Sequence, residues 1–361
     1  MAKILCVLYP DPDTGHPTSY LRDRAEGEML GDLTGGLGLR DYLEQAGHRF
    51  VATSDTGAAF ERELADADIV ISQPCWPAEL PRERLERAFN LKLAITAGAG
   101  SDHIDLAAAA DLGITVAEIP GATTASVAEH TVMMILGLVR DYLPQHYTAR
   151  HGGWNIADCV EQSYDLAGMR VGIVGAGRVG LAVLRRLHPF EVGLHYFDRH
   201  RLPAETERAL GLTWHASVDS LGTACDVLSL HCPLTPATEH MIDAGFIRRM
   251  RPGSYIINNA RGKLVERDAV VTALETGHLA GYAGDSWYPQ PAPADHPWRR
   301  MLRNGMTPHT SGTTLSAQLR YAAGVREILD CFFGCGHLSD RYLLVDKGHL
   351  AGLMTARSAA D

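Results

Sequence analysis

No two cysteines in this chain are spaced as CxxC, although it has seven, at positions 6, 75, 159, 225, 232, 331 and 335. Cys331 and Cys335 lie four apart in "CFFGCG", but no histidine–cysteine set with zinc spacing surrounds them. An odd, scattered set excludes a disulfide scaffold and predicts reduced, mostly buried thiols in a cytoplasmic protein. A basic surplus is also missing. Lys and Arg number 33 against 43 Asp and Glu, a net charge of −10, the opposite of what a nucleic-acid surface needs. No stretch reaches the ~18 consecutive apolar residues that span a bilayer. The opening "MAKILCVLYPDPD" has one lysine and a short apolar run ended by Pro10, which predicts a first strand rather than a signal peptide. No internal repeat or low-complexity block is present either.

What remains is a chain of 361 residues, 46% hydrophobic and 21% charged, enough for a full core in each of two domains. Short apolar runs ("KILCVLY", "RFVATS", "ADIVISQP", "LKLAITAG", "GITVAEIP") alternate with helical patterns such as "PRERLERAF" and "DLAAAADLG". That rhythm predicts a parallel sheet covered on both faces, whose buried strands are continuously apolar. At residue 124 the texture changes to "TASVAEHTVMMILGLVRDYLPQHYTARHGGW", a long helix pattern to be buried on most of its surface. Ser126 and Glu129 have capping-box spacing, and Pro144 is expected to end or kink the helix. A second strand–helix series runs from "MRVGIVGAGRVG" to "GMTPHTSG", followed by the helical "TTLSAQLRYAAGVREILDCFFGCG" and a weakly patterned tail whose end is expected to be mobile. The expected fold is α/β, with two parallel sheets and chain crossings near 124 and 311.

The most specific local signal is "VGIVGAGRVG". Gly175, Gly177 and Gly180 form GxGxxG directly after a strand pattern and directly before "LAVLRRLH". Such glycines permit a tight turn, close approach of a pyrophosphate and close strand–helix packing, with free helix N–H groups facing the phosphates. A lone GxGxxG is weak evidence. Here the next strand pattern ends in Asp198, close to the ~20-residue spacing expected of the acid that binds the ribose hydroxyls. Asp198 favours NAD over NADP, because a carboxylate repels a 2′-phosphate, and Arg199 partly offsets that repulsion. Arg178, inside the turn, is a candidate pyrophosphate contact, the bland alternative being a solvated surface arginine.

With these residues assembled, the chain resembles NAD-dependent formate dehydrogenases of the D-2-hydroxyacid dehydrogenase superfamily. The stretches that carry the likeness are "ISQPCWPAEL", "TAGAGSDHIDL", "SVAEHTVMMILGLVR", "GGWNIADCV", "LHYFDRHRLP", "NNARGKLVERDAV", "GYAGDSWYPQPAPADHPW" and "NGMTPHTSGTT". The resemblance implies two Rossmann-like doubly wound parallel-sheet domains, a substrate (catalytic) domain of residues 1–123 and 311–361 and an NAD-binding domain of residues 124–310, with the active site in a cleft between them, a homodimer, and a shortened loop between Pro10 and Leu37. It also gives meaning to His309, which read alone is an ordinary loop histidine: His309 matches the histidine beside the substrate. Arg261 matches the arginine that binds the substrate carboxylate, a task suited to the guanidinium fork. Gln290 stands where relatives acting on 2-hydroxy acids carry a glutamate. A carboxylate there would tune the histidine as a general base, but formate loses only hydride and needs no such base. Asp285 matches the residue near the nicotinamide carboxamide. The implied cofactor set is Gly175, Gly177, Arg178, Val179, Gly180, Asp198, Arg199, Pro233, Asn259, Asp285, Ser311 and Gly312, with Asn259 replacing a usual threonine.

Three substrate-pocket positions depart from the formate pattern. Ala99 stands for isoleucine, Thr123 for asparagine, and Cys75 for phenylalanine beside the retained Pro74. Losing one hydrogen bond to a charged substrate costs ~1.5–3 kcal/mol. The same machinery acting on a larger anion is therefore an alternative: a 2-hydroxy acid, a hydrated aldehyde acid or a phosphorus oxyanion. A regulator that binds dinucleotide without catalysis is disfavoured by Arg261, Gln290 and His309 occurring together. His103, His130 and His309 lack ligand spacing, so no metal is expected.

Overall fold

A computed structural model describes residues 1–13, 30–334 and 336–351. The chain divides into two compact units, Met1–Thr123 with Gly312–Asp361, and Thr124–Ser311. The loop between Pro10 and Leu37 lies mostly outside the described residues, as do Cys335 and residues 352–361 at the end of the C-terminal tail.

In the first unit, strands β1 (Lys3–Val7), β2 (Arg49–Thr53), β3 (Ile69–Ser72), β4 (Leu93–Thr96) and β5 (Thr115–Glu118) pair in parallel, in the order β5-β4-β3-β1-β2. β3 and β4 are buried at every position, because apolar clusters cover both faces of the sheet. The sheet is not purely parallel. β13 (Leu343–Asp346) joins β5 antiparallel, and β14 (His349–Leu350) extends it. The tail gave little warning of this, since a short edge strand in "DRYLLVDKG" has too few positions to show a period.

The second unit holds seven parallel strands: β6 (Arg170–Val174), β7 (Gly193–Phe197), β8 (Leu212–Trp214), β9 (Val227–Leu230), β10 (Ser254–Asn258), β11 (Leu279–Gly284) and β12 (Asn304–Met306). Their order is β12-β11-β10-β9-β6-β7-β8. It reverses between β6 and β9, so the carboxyl ends of those strands form the topological switch point where such sheets bind ligands.

Helix α1 spans Thr124–Val139 and α2 spans Tyr142–Arg150. The interruption falls at Asp141, whose φ of 50° breaks the helical run, and not at Pro144. Pro144 sits in the first turn of α2, where an amide N–H has no helical partner to lose. The expected capping box is not formed: Ser126 lies inside the helix, and Glu129 accepts from Arg186 at 3.1 Å. One face of α1, with Ala128, Met134, Ile135 and Val139, packs into the core around β6, while Met133 is exposed. Helices α3 (Arg178–Leu187) and α4 (Leu315–Gly334) complete the set used below. The thiols are less buried than expected: of the six described, only Cys6 and Cys225 are fully so. Among the described residues no helix is long and apolar enough to cross a membrane.

Candidate functional site

The glycine turn follows β6 at the switch point. Gly175 has φ of 90°, and a Cβ there would lie 2.9 Å from the Cys232 nitrogen. At Gly180 a Cβ would meet the Gly175 carbonyl oxygen at 2.0 Å, so only glycine lets α3 start this close to the strand. Gly177 faces open space, and as the residue before α3 it makes no side-chain cap bond. The first-turn N–H groups of α3 therefore have no side-chain acceptor of their own, which is the donor set a pyrophosphate requires. Arg178 is exposed and Val179 half-buried in this turn. Asp198 follows β7 and is tied to the turn: one carboxylate oxygen accepts from the Ala176 N–H at 2.8 Å, the other from the His200 N–H at 2.9 Å. Arg199 and Pro233 are exposed beside it in the chain and after β9, respectively.

Asn259 lies just beyond β10. Its Nδ2 donates to Thr131 Oγ1 of α1 at 3.0 Å, while its buried Oδ1 has no hydrogen-bond partner among the described residues. A buried orphan acceptor is costly unless a ligand supplies a donor. Together with the open Gly177 and uncapped α3, it makes the second unit fit a dinucleotide. Arg261 comes two residues later, half-buried, at the carboxyl end of the sheet. Its backbone oxygen accepts from Asn258 Nδ2 at 2.8 Å, and its Nη1 donates to the Ala260 oxygen at 2.9 Å.

Asp285 directly follows β11 and is fully buried. One oxygen accepts from Thr307 Oγ1 at 2.5 Å and the Thr310 N–H at 2.8 Å, the other from the Ser311 N–H at 2.7 Å. Burial works to raise its pKa. Bonds from Ser311 and Thr307 and the neighbouring His309 outweigh it, so the carboxyl is held below its usual range. Ser311 belongs to the second unit, as Asp285 does. His309 sits between the anchored residues with φ of 57°, a conformation costing a non-glycine residue on the order of 1 kcal/mol. Its Nδ1 donates to Gln290 Oε1 at 2.8 Å, so Gln290 fixes the ring plane with a neutral acceptor. The loop bearing Gln290 is pinned by His296 Nε2 donating to the Tyr288 oxygen at 3.0 Å and by the buried Trp298.

The four positions expected to line the substrate pocket lie in the first unit, three in the loops just after β3 and β4 and Thr123 directly before α1. Pro74 and Cys75 follow β3, and the Cys75 thiol donates to Gln73 Oε1 at 3.2 Å. A Cβ on Gly98, next to Ala99, would approach Pro74 Cδ to 3.1 Å. Thr123 Cγ2 would lie 3.1 Å from a Cβ on Gly312. Tyr321 of α4 ties these positions together: its hydroxyl donates to the Gly312 oxygen and its ring lies against Gly98. Burial, with Cys75 adding to it, raises the Tyr321 pKa, so the hydroxyl remains a donor. Tyr321 and Thr307 escaped sequence reasoning, because a tyrosine at helical spacing and a loop threonine read as core and surface. Among the described residues no group of three or more His, Cys, Asp or Glu could hold a metal ion.

Residues 132–311 match the model of the D-isomer specific 2-hydroxyacid dehydrogenase NAD binding domain. Formate dehydrogenase of Pseudomonas sp. strain 101 is 58% identical over 98% of this chain and 94% of its own length. The mitochondrial formate dehydrogenase of Solanum tuberosum is 46% identical over 90% and 86%. Among solved structures, a Granulicella formate dehydrogenase has a TM-score of 0.94 at 57% identity, covering 97% of this chain and 100% of that one. The NAD-dependent formate dehydrogenase of Staphylococcus aureus, solved with NAD, has a TM-score of 0.85 at 43% identity, covering 96% and 99%. Nothing among these relatives favours a larger substrate over formate. The chain belongs to the formate dehydrogenases of the D-isomer specific 2-hydroxyacid dehydrogenase family, NAD-dependent oxidoreductases.

Proposed function

We propose that this protein oxidises formate to carbon dioxide with NAD as hydride acceptor. The observation that carries the reading is the His309–Gln290 pair. Formate gives up one C–H bond as hydride and leaves carbon dioxide, and no proton has to be removed. A histidine oriented by an amide suits that balance, whereas a carboxylate partner would raise its proton affinity. Arg261 holds the formate carboxylate through paired charge-assisted hydrogen bonds, and His309 orients it. Pro74, Cys75, Ala99 and Thr123 shape what anion is admitted. The glycine turn, Arg178, Val179 and the α3 N–H groups would hold the pyrophosphate, with Pro233 beside them, and Asp198 the ribose hydroxyls. Asn259, Asp285, Ser311 and Gly312 would serve the nicotinamide end. When bound, NAD supplies the carbon that accepts hydride. The first unit then acts as the substrate domain and the second as the NAD-binding domain.

A homodimer is part of the reading. Tyr142, Leu143, Tyr147, Trp154 (85% exposed), Ile156 (68%), Val160 and Tyr164 expose apolar side chains along one stretch of the second unit, and Met133 of α1 is exposed as well. So many large apolar groups clustered in sequence suit a covered surface, and a second copy is its proposed occupant. A cytoplasmic location is proposed because Cys6, Cys159, Cys225 and Cys232 carry no disulfide. The functional test is NADH formation with formate against glycolate, D-lactate, glyoxylate and phosphite. Saturable turnover of formate supports the reading, and turnover of a larger anion alone overturns it.

A further inference from the structure

Asp285 and its three donors do not end the network around His309. His130, on α1, places Nε2 3.1 Å from Thr307 Oγ1. The direction of each bond follows from proton counting. An ionised Asp285 can only accept, so the single Thr307 hydroxyl proton is donated to it, at 2.5 Å. The Thr307 oxygen must then accept from His130, which requires the proton on Nε2. The opposite tautomer would present a lone pair at Nε2 and compete with Asp285 for the Thr307 proton. The Thr307 backbone is also held: its carbonyl accepts from Trp287 Nε1 at 2.7 Å, and its N–H donates to the Gly284 oxygen at 3.0 Å.

We infer that His130 is a positioning residue for the His309 loop. Its Nε2–H commits the Thr307 hydroxyl to Asp285, and Asp285 anchors the Thr310 and Ser311 amides that keep His309 in its left-handed conformation. His130 acts through Thr307. Burial lowers the His130 pKa, the nearby Asp285 opposing it, so the ring is neutral near neutral pH and its tautomer matters. The functional consequence rests on the formate reading, but the proton arrangement does not.

Two measurements separate the cases. Nitrogen NMR of the cofactor-free protein, with His130→Gln identifying the ring signals, should give a protonated Nε2 and an unprotonated Nδ1. The reverse tautomer overturns the inference whatever the substrate. In steady-state assays with formate and NAD, His130→Leu should lower kcat roughly ten-fold, the scale of one lost hydrogen bond to an ionised group. His130→Gln keeps an N–H donor and should recover to within about three-fold. Equal losses in both variants, or no loss in either, contradict the inference. Should the Leu variant fail to fold, a roughly ten-fold loss in the Gln variant contradicts it, and near-native activity supports it.

Discussion

In the proposed formate site Arg261 and Gln290 have different roles, one toward the anion and one toward His309, and each can be removed alone. Arg261 supplies the positive charge in the proposed formate site. Arg261→Ala should lower kcat/KM for formate by a hundred-fold or more, since charge-assisted pairing and orientation are each worth about that much. Arg261→Lys should recover little, because an ammonium lacks the planar fork. Near-native kcat/KM in Arg261→Ala would remove the residue from the site. Gln290→Glu would place a carboxylate at the Nδ1 side of His309 and raise its pKa, moving the pH profile of kcat/KM upward by roughly a unit. An unmoved profile would mean that Gln290 does not set the protonation of His309. Neither role was legible in local pattern: an arginine after a strand and a glutamine in a proline-rich loop have bland readings. They became candidates through the likeness of whole stretches such as "NNARGK" and "WYPQPAPADHPW". Tyr321 and Thr307 stayed hidden because their partners are tertiary, Gly98 for one and Asp285 for the other.

Elements behaved more predictably than residues wherever a backbone rule governs them. The turn from β6 into α3 was readable because three glycines impose their own geometry. Gly180→Ala would drive a Cβ into the Gly175 carbonyl, which is backbone and cannot swing away. It should cost ~1–3 kcal/mol in denaturant unfolding and weaken NAD binding at least ten-fold by calorimetry. Native values for both would refute the close-approach argument. The β11–loop junction carries a pH signature. The Asp285 pKa is lowered in the fold from its ordinary 3.8, so the stability it contributes is present above that value and lost as pH falls through the lower folded value. Asp285→Asn should therefore lower the thermal midpoint near neutral pH, with the difference from wild type shrinking in acid. A difference constant across pH would mean the charge is not what the surrounding donors favour. The helix break at Asp141 and the edge strand β13 were missed for one reason. Each rests on a few residues, too few to show a period.

At the scale of the whole molecule, exposed apolar residues from Met133 to Tyr164 are the feature a single chain leaves unexplained. Velocity sedimentation should give a dimer, and Trp154→Asp combined with Ile156→Asp should shift it toward monomer at micromolar concentration. A monomeric wild type would contradict the homodimer. The two-unit organisation was legible from the repeated strand–helix rhythm and the change of texture at residue 124, because buried parallel strands write themselves as continuous apolar runs. The substrate was less so. Ala99, Thr123 and Cys75 are small for the family pattern and pull toward a larger anion, while Gln290 beside His309 pulls toward formate. One measurement sets these against each other: kcat/KM with NAD for formate beside the same constant for glycolate, D-lactate, glyoxylate and phosphite, on one preparation. A higher value for formate than for every other anion is the predicted result. A higher value for any of the larger anions, with formate at background, would contradict the account.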